Sequence, residues 1–519
     1  MSSRPRLPEP DGLREAFWAH ERALTAGDGA ALAGLVAPGP ATVLGDADGL
    51  RVGHDAVAAT LRGRAATPRR VTAAHVQTVD ADHALVVAVL ADAAPGAGTA
   101  ARGQQTQLWA RTDEGWRVTA THLSAPAPAF DPRIWREVGD PLVPASGAGP
   151  LVGRTVAVKD TVAVAGRRRG AGVDAWLARA TPERQHAPVV EALLEAGAAV
   201  RGLARCDELA WSLTGDHPVH GAPPNPAAPG RLPGGSTSGP ASAVALGHAD
   251  VGLGTDTAGS VRVPASYQGL WGVRTTHGAV PRGGVLPLAG SYDAVGWLTR
   301  DPDLLAAVGD VLLPAAPTGP AGAVARPGST ELVVCSELLA VADPEVAGVV
   351  EAYADRAGMV LREPFDASVL PGWRQAFSTV QAHEAHHAHG RWVAARADGE
   401  IGDDVRGRFA AAAGLDADDV RRAVAVAATA RRRVLELVGD RVLLLPAAPG
   451  VAPRLDAGRE ELARTRETTL RLTCLAGLAG LPAVTVPGTT AGGLPAGVCL
   501  LAAPGRDRDL LDLARRLHP

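Results

Sequence analysis

Lysine is all but missing from this chain. Lys and Arg together number 51 in 519 residues, and Lys159 is the single lysine. The background is rich in Ala, Gly, Pro and Arg, as GC-rich coding produces, and such drift readily turns surface lysines into arginines. A position that keeps lysine uses something arginine lacks. A buried lysine can lose its proton; arginine, with a pKa above about 12, effectively cannot. A neutral amine is a general base. The alternative is a chance survivor on the surface. The flanking sequence TVAVKDTVAVAG is apolar on both sides, which predicts a buried strand running into a turn and favours the functional reading.

Other shortages exclude whole classes. The four cysteines, Cys206, Cys335, Cys474 and Cys499, are far apart and show no metal or redox spacing, so reduced thiols in a cytoplasmic protein are expected. The N-terminal stretch MSSRPRLPEPDGLREAFW lacks the apolar core of a signal peptide. No apolar run approaches the ~18 residues that span a bilayer. Net charge is only -4, with both signs mixed along the chain, which gives no support for nucleic-acid or anionic-membrane partners. The length predicts two or three domains.

Residues 10–125 read as one small α+β domain. LREAFWAHERALTAGDGAALAGLV has helical spacing, and alternating runs follow: VTAAHVQTV, HALVVAVLA and QTQLWARTDEGWRVTATHL, the last a hairpin turning at Asp113-Glu114-Gly115. Residues 126–146, rich in Pro, Ala and Gly, read as a linker. From residue 147 to 519, strand-like and helix-like runs alternate, the pattern of one large α/β catalytic domain. Its helix VVEALLEAG is expected to stop at Gly197.

A second unusual segment, PGGSTSGPASAVALGHADVGLGTDTAGSVRVPASYQG, spans residues 233–269. A flexible Gly/Ser linker fits poorly, because patterned apolar sequence continues on both sides. A phosphate loop lacks its Gly-Lys-Ser/Thr. Helix capping explains one of Ser236, Thr237 and Ser238, not all three. The loop GTDTAGS ends in Ser260, and its small residues let backbone N–H groups converge on a carbonyl oxygen. A serine nucleophile needs a base. No G-x-S-x-G elbow surrounds Ser260, and neither His248 nor His277 sits in a recognisable pattern. Lys159 is the better candidate.

These segments, with DELAWSLTGDHPVHGAPPNP, RGGVLPLAGSYDAVGWLTRD and AGLPAVTVPG, resemble the amidase signature family over nearly all of residues 147–519, most closely its indole-acetamide-hydrolase-type members. The resemblance implies an α/β fold with a mixed central sheet flanked by helices, and a Ser-Ser-Lys triad that hydrolyses small carboxamides without cofactor or metal. It places the base at Lys159, the bridging serine at Ser236 behind a cis Gly-Ser bond, and the nucleophile at Ser260. Thr257, Ala258 and Gly259 fall in its oxyanion loop. Three positions depart from the family pattern. Thr237 replaces a serine and keeps a hydroxyl. Ala258 replaces a glycine, so its methyl is expected to narrow the acyl pocket or to demand negative φ. Pro240 requires a place in the first helical turn. A non-catalytic amidase-like binding protein is an alternative. By resemblance, indole-3-acetamide and small ureido or carboxylated amides are candidate substrates.

HEAHHAHG contains a formal H-E-x-x-H: His383, Glu384 and His387. A zinc-dependent hydrolase is therefore the competing reading. Against it, the run lies in FSTVQAHEAHHAHGRWV, which resembles an amidase helix with a Q-x-x-E pattern, and no third ligand is evident. Residues from Leu13 to Ser124 resemble the AtzH-like domain of the SnoaL-like superfamily, which implies a small α+β cone of curved sheet and helices. Relatives often carry tyrosine where His20 stands and arginine where Leu44 stands. A binding or dimerisation role, with a homodimer, is expected of this domain.

Overall fold

The computed structural model describes residues 10–46, 49–62, 69–92, 103–124, 131–314, 329–358 and 360–517. The chain divides into two units, Met1–Ala129 and Phe130–Pro519.

In the first unit the helical periodicity of LREAFWAHERALTA forms the helix Leu13–Ala26, whose apolar stripe buries Leu13, Phe17 and Leu24. Six strands follow: β1 (Val43–Asp46), β2 (Gly49–Val52), β3 (Arg69–Thr78), β4 (His83–Asp92), β5 (Gly103–Thr112) and β6 (Gly115–Ser124). They form one sheet in the order β2-β1-β6-β5-β4-β3. Thr112 pairs with Gly115 across the expected turn. Phe17, Trp109 and Trp116 anchor the core between helix and sheet.

The second unit contains β7 (Trp135–Val143), β8 (Thr155–Lys159), β9 (Ala199–Ala204), β10 (Val251–Asp256), β11 (Trp271–Arg274), β12 (Ala294–Thr299), β13 (Leu332–Val334), β14 (Val360–Arg362), β15 (Val442–Pro446), β16 (Ala483–Thr489) and β17 (Pro495–Leu501). They make a mixed sheet in the order β14-β13-β15-β17-β16-β11-β12-β10-β8-β9-β7. β8 runs parallel to both β9 and β10, while β12 is antiparallel to β10. Strands buried on both faces read as continuous apolar runs, which explains TVAVK and VGLGTD. The helix Pro188–Glu195 stops where expected, with Gly197 in the left-handed region at φ +97°.

The linker expectation for 126–146 needs correction. Within it, β7 pairs antiparallel with β9 at the edge of the large sheet, and Ile134 and Trp135 are fully buried beside it. The composition misleads because an edge strand tolerates proline. Pro141 falls, after a cis Asp140–Pro141 bond, in the irregular stretch of pairing between Val138 and Val143. Residues 125–130 lie outside the described residues. Among the described residues no helix is long and apolar enough to cross a membrane.

Candidate active site

Lys159 is the last residue of β8, the third strand from the β7 edge of the sheet, and is 0% exposed. Its Nζ lies 2.8 Å from Ser236 Oγ, 2.9 Å from Thr255 Oγ1 and 3.2 Å from Thr237 Oγ1. Thr255 is on β10, the parallel neighbour. Ser236 and Thr237 enter the buried helix Ser238–Ala245, which packs on β8 and β10. Close packing sets the approach: a Cβ at Gly254 would lie 2.3 Å from Thr237 Cγ2, so β10 needs glycine beside that threonine. Thr237 makes no side-chain cap to the helix; its hydroxyl donates to Thr255 O and faces the lysine. Pro240 sits in the first helical turn, as its missing N–H requires. The Gly235–Ser236 bond is cis.

Ser260 follows β10 and precedes the helix Arg262–Gln268. Asp256 folds the connecting loop. Its carboxylate accepts from Gly259 N at 2.9 Å, Val261 N at 3.1 Å and Arg262 Nη2 at 2.8 Å. Gly259 takes φ +117°, a value that favours glycine. Its N–H donates to the Asp256 carboxylate, so this glycine is engaged in folding the loop. Ala258 needs no left-handed φ; its carbonyl accepts from Thr473 Oγ1 at 2.6 Å, and it lines the recess beside Ser260. Thr257 Oγ1 donates to Asp293 Oδ1 at 2.6 Å. Thr237 N donates to Ser260 O at 3.2 Å, which joins the two serine loops.

The electrostatics follow from burial. Desolvation pushes Lys159 below its ordinary value, and the more distant charges of Asp207, Asp256 and Asp293 oppose it only in part. Among the described residues no carboxylate forms an ion pair with it; its close partners are three hydroxyls. Burial also raises the cost of charging Asp256, but Arg262 and Arg274 outweigh it and hold the carboxyl well below the usual range. Burial pushes the neighbouring Cys206 thiol well up, so it is no thiolate nucleophile.

A recess of about 220 Å³ opens beside Ser260, lined also by Thr257, Ala258, Trp211, Leu213, Leu288, Gln381, Arg466 and Leu470. The H-E-x-x-H run serves this architecture. Glu384 accepts from Ser291 N at 2.9 Å and Ser291 Oγ at 2.5 Å, and His389 Nε2 bonds Pro287 O at 2.6 Å. His383 and His387 are exposed, and the helix changes to π geometry at His386–Gly390. Among the described residues no three His, Cys, Asp or Glu side chains gather as metal ligands. Neither His248 nor His277 bonds Ser260 there. Thr255, Asp256, Arg262, Arg274, Asp293 and Thr473 escaped the sequence reading. Two of them, Thr255 and Asp256, stand inside GTDTAGS itself.

In the first unit His20 and Leu44 are buried and line a cavity of about 360 Å³ whose other walls are largely apolar. Behind it Glu21 is paired with Arg69 and bonded by Gln105, both at 2.8 Å.

A family model for Amidase matches residues 141–322, and one for the AtzH-like domain matches 11–128. Amidase 1 of Oryza sativa subsp. japonica is 33% identical over 407 residues, covering 72% of this chain and 92% of the relative. A solved amidase structure superposes with TM-score 0.63 at 30% identity, over 71% of this chain and 85% of that one. A chain of a solved complex, described as an unexpected vestigial complex that reveals the origins of an s-triazine catabolic enzyme, superposes with TM-score 0.64 at 28% identity, over 71% and 84%. The chain belongs to the amidase signature family and carries an N-terminal AtzH-like domain. It is an amidase, a hydrolase of C–N bonds.

Proposed function

We propose that the protein hydrolyses a small primary carboxamide through an acyl-enzyme on Ser260, with Ser236 and Lys159 as the proton relay. The observation that carries this reading is the setting of Lys159: a wholly buried amine whose near partners are hydroxyls, Ser236 at 2.8 Å first among them. Leaving an unpaired ammonium there costs several kcal/mol, which favours the neutral, basic form of the amine. Lys159 takes a proton from Ser236, and Ser236 takes one from Ser260. Ser260 Oγ attacks the amide carbon. The N–H groups of Thr257, Ala258 and Ser260 receive the developing oxyanion. The proton returns through Ser236 to the nitrogen, ammonia leaves, and a water molecule activated by the same relay releases the acid. The test is trapping: a slowly deacylating amide or ester should add the mass of its acyl group to Ser260. Label on another residue, or none with turnover retained, would refute the role of Ser260.

The AtzH-like domain acts in this reading as a binding or dimerisation module of a homodimer. The support is the buried, mostly apolar setting of His20 and Leu44, together with the similarity of this chain to a member of a solved protein complex.

A further inference from the structure

The recess beside Ser260 contains a cation without a partner. Arg466 stands in the helix Arg459–Ala479, one turn before Leu470, and both side chains line the recess with Ser260. Among the described residues Arg466 forms no ion pair, and its Nε is buried with no hydrogen-bond partner. The nearby carboxylates are committed elsewhere. Asp404 pairs with Arg408, whose other nitrogen donates to Trp211 O. Glu467 pairs with Arg471 at 2.8 Å and Arg374 at 3.7 Å. Burial, then the like charges of Arg408 and Arg374, push Arg466 down to about 9. It is therefore still charged at neutral pH, with only the more distant charge of Asp404 acting in its favour. An adjoining recess of about 290 Å³ shares Arg466 and Leu213, and its lining contains no carboxylate.

A half-buried guanidinium with a buried, unsatisfied Nε gains from a carboxylate, which a guanidinium binds through two parallel N–H bonds. An indole ring would bring it no charge. Resting on the amidase reading above, we propose that this recess selects primary carboxamides whose acyl chain ends in a carboxylate, with Arg466 as the anchor for that anion. The reaction consumes one water, breaks the C–N bond and releases ammonia and the dicarboxylate. Arg466 touches the substrate but not the reacting atoms, so its effect belongs mainly in KM.

The experiment compares succinamate with 4-methylpentanamide, its uncharged near-isostere, on the full-length parent, Arg466→Gln and Arg466→Lys. Labelling of Ser260 by a fluorophosphonate serves as the check that each variant is folded. The parent should prefer succinamate in kcat/KM by about 10–100-fold, the worth of a hydrogen-bonded charge pair. Arg466→Gln should bring the two amides within about threefold, through a raised KM for succinamate, and Arg466→Lys should restore part of the preference. A parent that labels at Ser260 but shows no preference, or hydrolyses neither amide, overturns the assignment of Arg466 alone. A preference unchanged in Arg466→Gln does the same. A parent that neither labels at Ser260 nor hydrolyses an amide overturns the catalytic reading beneath it.

Discussion

Replacing Asp256 by asparagine removes the one carboxylate that two buried arginines share. Asp256 and Arg274 are 0% exposed and Arg262 is 1% exposed. Asparagine keeps the shape, but its NH₂ would face guanidinium or backbone N–H donors, and the two cations would lose the carboxylate that contacts both. Breaking a buried pair by removing one partner costs about 3–5 kcal/mol. Unfolding entropy is ~2.1 cal/mol/K per residue near 60 °C, which is about 0.8 kcal/mol/K for a unit of about 390 residues. The expected fall in Tm is therefore about 4–6 °C. Burial raises the folded pKa of Asp256, but the arginines more than reverse this, so the net shift is downward. Its contribution is thus present above the ordinary carboxylate value of about 3.9 and is lost as pH falls. The gap between parent and variant should be full at neutral pH and narrow below about pH 4. Calorimetry of both proteins from pH 3 to 8 is the assay. A variant within ~1 kcal/mol of the parent at pH 7 would refute the argument that the clamp is a buried, unscreened pair.

Thr255→Val removes a hydroxyl 2.9 Å from Lys159 Nζ; kcat should fall by about fivefold with KM little changed, since one hydrogen bond is worth ~1 kcal/mol, and steady-state rates will show it. Chelators should leave turnover intact, and His383→Ala with His387→Ala should stay within a few fold of the parent; activity lost with stoichiometric zinc would revive a metal role. Removing residues 1–129 should leave a folded amidase with altered oligomeric state or substrate preference, read by light scattering and an amide panel; hydrolysis or decarboxylation of a substrate by that segment alone would contradict its role as a binding module.

The residues of the proposed relay are legible because they lie in local motifs. A lone lysine in an apolar strand and two serine loops carry their chemistry in short stretches, and burial of Lys159 follows from TVAVK alone. What stayed hidden is long-range. Arg274 and Thr473 reach Asp256 and Ala258 from distant segments, and nothing in WGVR or RLTCLAG announces a partner. That Asp256 takes the Gly259 N–H is likewise invisible in the sequence. The segment 126–146 was misjudged because Pro, Ala and Gly describe an irregular edge strand as well as a linker. Glu384 looked like a zincin base until its bonds to Ser291 explained it.

The most direct measurement is the pH–rate profile of Lys159→Arg beside Lys159→Ala and the parent, on any accepted amide. Burial lowers the folded pKa of Lys159, so parent activity should rise with pH through that lowered value as the amine sheds its proton. If the site needs a neutral amine, arginine is no better than alanine, because it keeps its charge throughout. Both variants should then lose about 10²–10⁴-fold in kcat, the usual worth of a general base, and the alkaline rise should vanish. Activity of Lys159→Arg within a few fold of the parent, with the same pH profile, would contradict the relay.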